Sequence, residues 1–150
     1  MQLSAWQVVR WESGLLFVTL LVKFWLRVLR KSMLAFTPLI AESLAVLRGI
    51  QFASEVGHWP CIFETDAQGV VNLITASSVP CADIGLILSD IFALLESFPN
   101  YSFAFVPRCG NMAAHCLAKL GLSLVSDCFW LEEFPPCVAP AVAGDNPSQL

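Results

Sequence analysis

One short apolar run, from Trp59 to Asp66 (WPCIFETD), constrains the fold of this chain more than any other stretch. It opens with a proline, continues through Cys61, Ile62 and Phe63, and ends on an acid. This is the composition of a strand whose two faces are both covered, as in parallel or mixed sheets flanked by helices. The run therefore predicts a buried strand that delivers the carboxylate of Asp66 to the edge of a sheet.

The hydrophobic period changes directly after Asp66. The segment AQGVVNLITA has apolar residues at helical spacing and predicts a short helix, for which Asp66 would serve as the N-cap. Ligand sites in open α/β sheets also collect at the carboxyl ends of strands, so Asp66 is either a cap or a site residue. Glu64 lies on the strand face opposite Cys61 and Phe63 and is expected to be solvated.

Regular helix and strand patterns extend from residue 40 to residue 123. The run IAESLAVLRGIQFASEVG predicts a helix with Glu42 in its first turn and Gly57 as its stop. A second helix, ADIGLILSDIFALLESF, is ended by Pro99 and Asn100, and YSFAFVPR is a strand that Pro107 closes. The run NMAAHCLAKLGL predicts a last helix. The order helix, strand, helix, helix, strand, helix is that of an α/β layer architecture.

The N-terminal residues 1–39 allow two interpretations. The run GLLFVTLLVKFWLRVLRK is interrupted by Lys23 and Arg27, which makes it a poor membrane-spanning helix. Residues 18–31 nevertheless have the pattern of a basic helix at a membrane surface, and the alternative function is a small membrane-associated protein. The run WQVVRWESGLLFVTL equally predicts two strands joined at Ser13 and Gly14.

Composition and charge limit the function classes. The chain is 57% apolar and only 13% charged, against a usual charged share of about 25%, so a single domain has ample core material. The formal charge of −4 argues against a strongly basic nucleic-acid surface. Arg108 and Lys119 are the only basic residues after Arg48, apart from histidines.

The six cysteines are widely spaced among apolar neighbours and form no C-x-x-C pair. They are Cys61, Cys81, Cys109, Cys116, Cys128 and Cys137. Because no secretory signal precedes them, reduced and mostly buried thiols are expected, and with them an intracellular location, nuclear or cytoplasmic. Their spacings, even with His115, fit no common zinc site.

Three separated motifs carry a family resemblance. The run AESLAVLRGIQFASEVG, the strand ending ETDAQGVVNLI, and FVPRCGNMAAHCLAKLGL followed by FWLEE occur in that order. Together they resemble the plant ribonuclease H-like domain of proteins related to non-LTR retroelement reverse transcriptases. The resemblance covers residues 40–134 and implies a mixed sheet flanked by helices. Residues 1–39 are then a divergent apolar segment, hairpin remnant or helix, and residues 135–150 a disordered, Pro-rich tail.

The resemblance implies metal-dependent chemistry on nucleic acid. Ribonucleases H cleave the RNA strand of RNA–DNA hybrids with two Mg²⁺ ions held by four acids, one each on the first strand, the first helix, the end of the next central strand and the last helix. By motif, the helix acid is Glu42 and the strand-end acid is Asp66, which makes these two the catalytic and metal-binding residues. Arg108 is the basic residue assigned to nucleic-acid binding.

Two of the four acids are absent from this chain. Where the family pattern is N-x-x-A-D-x-L-A-K this chain has NMAAHCLAK, so His115, a softer ligand than Mg²⁺ prefers, takes the place of an acid. The WQVVRWESGLLFVTL run resembles the family's second and third strands, so the first strand and its acid are missing. That loss would leave neighbouring strands without backbone partners and favour self-association. We expect a ribonuclease H-like protein of hybrid-ribonuclease ancestry with a degenerate, catalytically impaired site.

Overall fold

The computed structural model describes residues 6–11, 14–19, 37–57, 59–80, 83–98, 100–107, 112, 116, 119–120, 128–131 and 135–144. The strands and helices defined there are β1 Trp6–Trp11, β2 Gly14–Thr19, α1 Pro38–Val56, β3 Cys61–Thr65, α2 Gln68–Thr75, α3 Asp83–Glu96, β4 Tyr101–Phe105, β5 Cys128–Leu131 and α4 Ala139–Gly144. The chain is therefore mixed α/β with a mixed sheet and flanking helices, as the sequence predicts.

The strands form one sheet in the order β4-β3-β1-β2-β5. β3 and β4 are parallel, whereas β1 pairs antiparallel with both β2 and β3, and β5 pairs antiparallel with β2. Of the two N-terminal interpretations, the strand pair is the one observed. Val18 and Thr19, the start of the segment considered as a membrane-surface helix, lie within β2, and residues 20–31 of that segment lie outside the described residues.

The sheet has no gap beside β3, which corrects one expectation. The loss of a first strand was expected to leave its neighbours without backbone partners, but β3 is paired on both edges, to β4 on one side and to β1 on the other. β1 fills the position because its antiparallel ladder satisfies backbone N–H and C=O groups as well as a parallel one. The interior edge on which the expectation of self-association rested is therefore covered.

Helix α1 has clear start and stop signals. The Thr37 hydroxyl accepts a hydrogen bond from the Ile40 N–H at 3.3 Å, and Pro38 occupies the first turn, where its missing N–H costs nothing. At the other end Gly57 adopts a φ of +70°, and its N–H is donated to the carbonyls of Ala53 and Ser54. The left-handed conformation favours glycine, so the prediction that Gly57 ends this helix is confirmed.

The core lies between one face of the sheet and the helices α1, α2 and α3. α1 packs on β1 and β3 and also against α3, while α2 packs on β4. Each helix contributes the apolar face that its period predicts. The largest fully buried side chains are Phe63, Ile50, Leu88, Ile91, Val46, Val70 and Val138.

β3 is buried on one face only, which corrects a second expectation. Phe63 has no exposed surface, and Cys61 is buried beside it, but Ile62 on the opposite face is 38% exposed. Glu64, on that same face, is half-buried. The apolar run predicted two covered faces because a short strand rich in apolar residues does not show by composition which side the helices cover.

The C-terminal segments extend the fold beyond the predicted helices. β5 adds the FWL part of the FWLEE motif to the sheet beside β2. Within residues 135–150, which the sequence assigns to a disordered tail, the structure has helix α4 and buries Pro135 and Val138. Across the described ranges, no helix combines the length and the apolar character that crossing a membrane requires.

The two faces of β3 give a matched stability test. We expect Phe63→Ala to lower the free energy of unfolding by about 3–5 kcal/mol, because it leaves a cavity in the core, and Ile62→Ala to lower it by less than about 1 kcal/mol. Urea denaturation of both variants measures this difference. Equal losses would contradict the assignment of Phe63 to the covered face.

Cys61 adds a pH dependence to stability. Burial raises the pKa of the Cys61 thiol from 9.0 to about 12. Since the unfolded thiol ionises first, the stabilisation is complete below pH 9 and is lost as pH rises toward about 12. Between neutral pH and about pH 10 the unfolding free energy should fall by about 1 kcal/mol through this group. Cys61→Ala should remove that part of the slope, whereas Cys137→Ala, at an exposed position, should keep it.

Candidate functional site

Asp66 lies in a turn at the carboxyl end of β3 that two hydrogen bonds of Thr65 stabilise. The Thr65 carbonyl accepts a hydrogen bond from the Val106 N–H at 2.9 Å, which joins this turn to the end of β4. The buried Thr65 hydroxyl accepts a second one from the Ala67 N–H at 3.2 Å, which joins the turn to the start of α2. These two bonds hold the backbone on either side of Asp66, which is a half-buried residue.

The N-cap residue of α2 is Ala67 and not the predicted Asp66. Helix α2 begins at Gln68, and Ala67 makes no side-chain capping hydrogen bond. Asp66 therefore lies one residue before the N-cap position, between Thr65 and the Ala67 N–H that the Thr65 hydroxyl binds.

Glu42 lies in the second turn of α1 and not in the predicted first turn. Thr37 and Pro38 start the helix two residues before the predicted start, so the first turn contains no acid and the macrodipole does not explain Glu42. Its side chain is half-buried between buried neighbours, Ala41 and Ser43. The Ser43 hydroxyl donates a hydrogen bond to the Leu39 carbonyl at 2.8 Å, so this buried polar group has a partner within the helix.

The structure brings the elements that carry Glu42 and Asp66 together at one end of the sheet. A Cβ atom on Gly69 would lie 3.0 Å from Leu39 Cδ1, so the first turn of α1 is packed against the first turn of α2. Glu42 follows Leu39 by three residues and Asp66 precedes Gly69 by three. Asp66 follows the carboxyl end of β3, where α/β sheets collect ligands, and Glu42 lies on the helix whose first turn contacts α2.

β1, the antiparallel neighbour of β3, supplies no third acid in addition to Glu42 and Asp66. β1 has the sequence WQVVRW, in which Arg10 is the only charged residue, and its Val8 stands opposite Glu64. His115 and Arg108, the other two predicted site residues, lie outside the described residues. Within the part of the chain that the structure describes, no group of three or more His, Cys, Asp or Glu residues could hold a metal ion.

The chemistry of this donor set fits one hard cation better than two. Carboxylate oxygens are the ligands that Mg²⁺ accepts, and Mg²⁺ is commonly held by one or two carboxylates while waters and substrate phosphates complete its shell. Glu42 and Asp66 are both carboxylates, the donor type that such a site requires. A pair of ions shared between four acids would need donors that the described residues do not offer at this place.

A family model described as reverse transcriptase-like matches residues 25–121, more than half of the chain. The chain belongs to the reverse transcriptase-like family. This family is of the ribonuclease H-like type, and its function concerns nucleic acids. No curated protein and no solved structure matches the chain. All four predicted site residues lie inside the matched segment, whereas β1, β2 and β5 lie outside it.

Sequence reasoning missed two contacts beside the candidate acids. The buried Thr65 hydroxyl and the contact between Leu39 and Gly69 were not predicted. A glycine in the first turn of a predicted helix was a usable signal, because it often marks a close approach of another element. No comparable signal identifies Thr65, since a threonine at the end of a strand is common.

The Thr65 hydroxyl provides a test of how the Asp66 turn is held. Thr65→Val keeps the shape of the side chain but leaves the buried Ala67 N–H without its acceptor, which should cost about 1–3 kcal/mol. Thr65→Ser keeps the acceptor and should be less destabilising. Chemical denaturation of the two variants measures the difference, and a valine variant as stable as the serine variant would contradict this role.

Proposed function

We propose that this chain is a nucleic-acid-binding ribonuclease H-like domain of RNA–DNA hybrid ribonuclease ancestry, with hydrolysis of the RNA strand impaired. The plant and retroelement-related origin, carried by the three sequence motifs, belongs to the same proposal. The observation that best supports impaired hydrolysis is which strand pairs with β3 on the side away from β4. That strand, β1, contains no acid, and it runs antiparallel to β3.

Direction matters as well as composition. A strand parallel to β3 would bring its carboxyl end next to Asp66, as β4 does on the other side. An antiparallel neighbour brings its amino end there instead, so the register that joins Trp11 to Cys61 and Val8 to Glu64 places the start of β1 toward the site. A catalytic acid on this strand would thus have to stand at its start, where the sequence has Trp6 and Gln7 instead.

The retained acids define what the site can still do. Glu42 and Asp66 would hold a single Mg²⁺, which when bound supplies positive charge for a phosphate group. Two contacts support this proposal: the Thr65 hydroxyl binds the Ala67 N–H and so holds the backbone around Asp66, and Leu39, in the first turn of the helix that carries Glu42, meets Gly69 in the first turn of α2. His115, in the family position of a third acid, offers a nitrogen that hard cations accept poorly. We therefore propose metal-assisted binding of a phosphate backbone with little hydrolysis.

Binding to a labelled RNA–DNA hybrid tests this proposal. Fluorescence anisotropy should show an affinity that falls with salt, since phosphate contacts release counterions, and that rises when Mg²⁺ is added. Asp66→Asn should remove most of the Mg²⁺ effect, about tenfold in affinity at saturating metal. The matched control is Asp90→Asn, which changes an exposed aspartate of α3 in the same way and should leave the Mg²⁺ effect intact.

Cleavage of the same hybrid, resolved on a denaturing gel, tests impairment separately. The unmutated chain should give product near the no-enzyme background. Mg²⁺-dependent cleavage that Asp66→Asn abolishes would contradict impairment and show a working nuclease. Failure to bind the hybrid at any salt concentration would instead contradict the nucleic-acid part of the proposal.

A further inference from the structure

The edge strand β4 contains no charge, proline or bulge, the features by which a strand itself protects a sheet edge. Among the described residues, β4 pairs only with β3 and ends the sheet. Its sequence, YSFAF, contains no charge and no proline, and its five residues pair with β3 in an unbroken register, so no bulge turns the edge away. Natural edge strands are normally blocked by lysines, prolines or bulges, because an open ladder pairs with other chains.

One hydrogen bond establishes which backbone groups of β4 face outward. The Val106 N–H is donated to the Thr65 carbonyl on β3 at 2.9 Å. Since successive residues of a strand direct their backbone groups to alternate edges, Ser102 and Ala104 also turn theirs toward β3. Tyr101, Phe103 and Phe105 therefore present their N–H and C=O groups to the outer edge.

The outer edge is self-complementary. Tyr101 and Phe105 lie two residues on either side of Phe103, and they are exposed to the same extent, 41% and 42%. In an antiparallel pair of two β4 strands centred on Phe103, Tyr101 of each copy stands opposite Phe105 of the other. Every outward backbone group then meets a partner, because residues 101, 103 and 105 all occupy hydrogen-bonded positions.

We infer that two copies of this chain associate through their β4 strands, in an antiparallel pairing centred on Phe103 that joins the two sheets into one. The pairing is isologous, so it closes as a dimer and leaves no further β4 edge. The cross-strand pairs of Tyr101 with Phe105 are aromatic, a kind of pair that stabilises sheets. The existing stack of Phe103 on Phe63, with ring centroids 5.1 Å apart, supports the centre of the interface from within each copy.

The small size of this interface makes the dimer weak and dependent on concentration. Five residues from each copy form the ladder, far fewer than a standard interface of about 20–30 residues a side. Sedimentation velocity across a wide concentration range should therefore show a mass that rises from 16.4 kDa toward twice that value. A mass that stays at 16.4 kDa at all concentrations would overturn the inference.

Charge substitutions at the two exposed aromatic positions test the register. In the double variant Tyr101→Lys, Phe105→Lys, each lysine faces a lysine of the other copy, and the dissociation constant should rise at least about tenfold. In the double variant Tyr101→Lys, Phe105→Glu, each lysine faces a glutamate, and much of the dimer should return. Leu86→Lys, on the exposed side of α3 and distant in sequence from the edge, is the control and should leave the dimer unchanged.

Three results would overturn the inference. If the two double variants associate equally, the pairing is not antiparallel about Phe103. If Leu86→Lys breaks the dimer, the interface lies on α3. If mass grows without limit, β4 pairs with the opposite edge strand β5 and forms open chains. The unfolding temperature of each double variant, compared with that of the unmutated chain, checks that the fold is retained.

Discussion

The structure depends most on the backbone pairing of β3 along both of its edges. The parallel ladder to β4 and the antiparallel ladder to β1 hold a strand whose Phe63 side chain is completely buried beneath the helices. Without β1 the buried N–H and C=O groups on one edge would lack partners, a cost that a small domain with marginal stability cannot easily offset. The N-terminal strands β1 and β2, which lie outside the segment that the family model matches, therefore complete the sheet of this chain.

The same pairing shapes the site. The parallel neighbour β4 brings its carboxyl end beside that of β3, and the Val106 to Thr65 hydrogen bond closes the two ends together around Asp66. The antiparallel neighbour β1 solves the packing problem without bringing an acid. A strand can thus complete the sheet of a ribonuclease H-like fold without contributing a metal ligand. Strand pairing uses backbone N–H and C=O groups, which nearly every residue has, whereas metal binding requires particular side chains.

The pairing also decides where the chain can associate. With the interior edge beside β3 covered, the edges of the described sheet are β5 and β4, and β4 is a strand without charge whose aromatic residues are symmetric about Phe103. The expectation of an exposed edge arose from a correct premise, that unpaired strands seek partners. It failed on location, because motif order cannot show which distant strand fills an interior position.

The sequence by itself determined the α/β class, the helices α1, α2 and α3 with their apolar faces, the stop at Gly57, and the end of β3 at an acid. These are local properties, since period, caps and turn residues act within a few positions. Motif order identified Glu42 and Asp66 as candidates by resemblance. Only the tertiary structure decided that β3 has one covered face, that the N-cap of α2 is Ala67, and that Leu39 meets Gly69. It also decided that β1 lies antiparallel beside β3. These are contacts between residues far apart in the chain, and their energies depend on which elements meet, which no local pattern records.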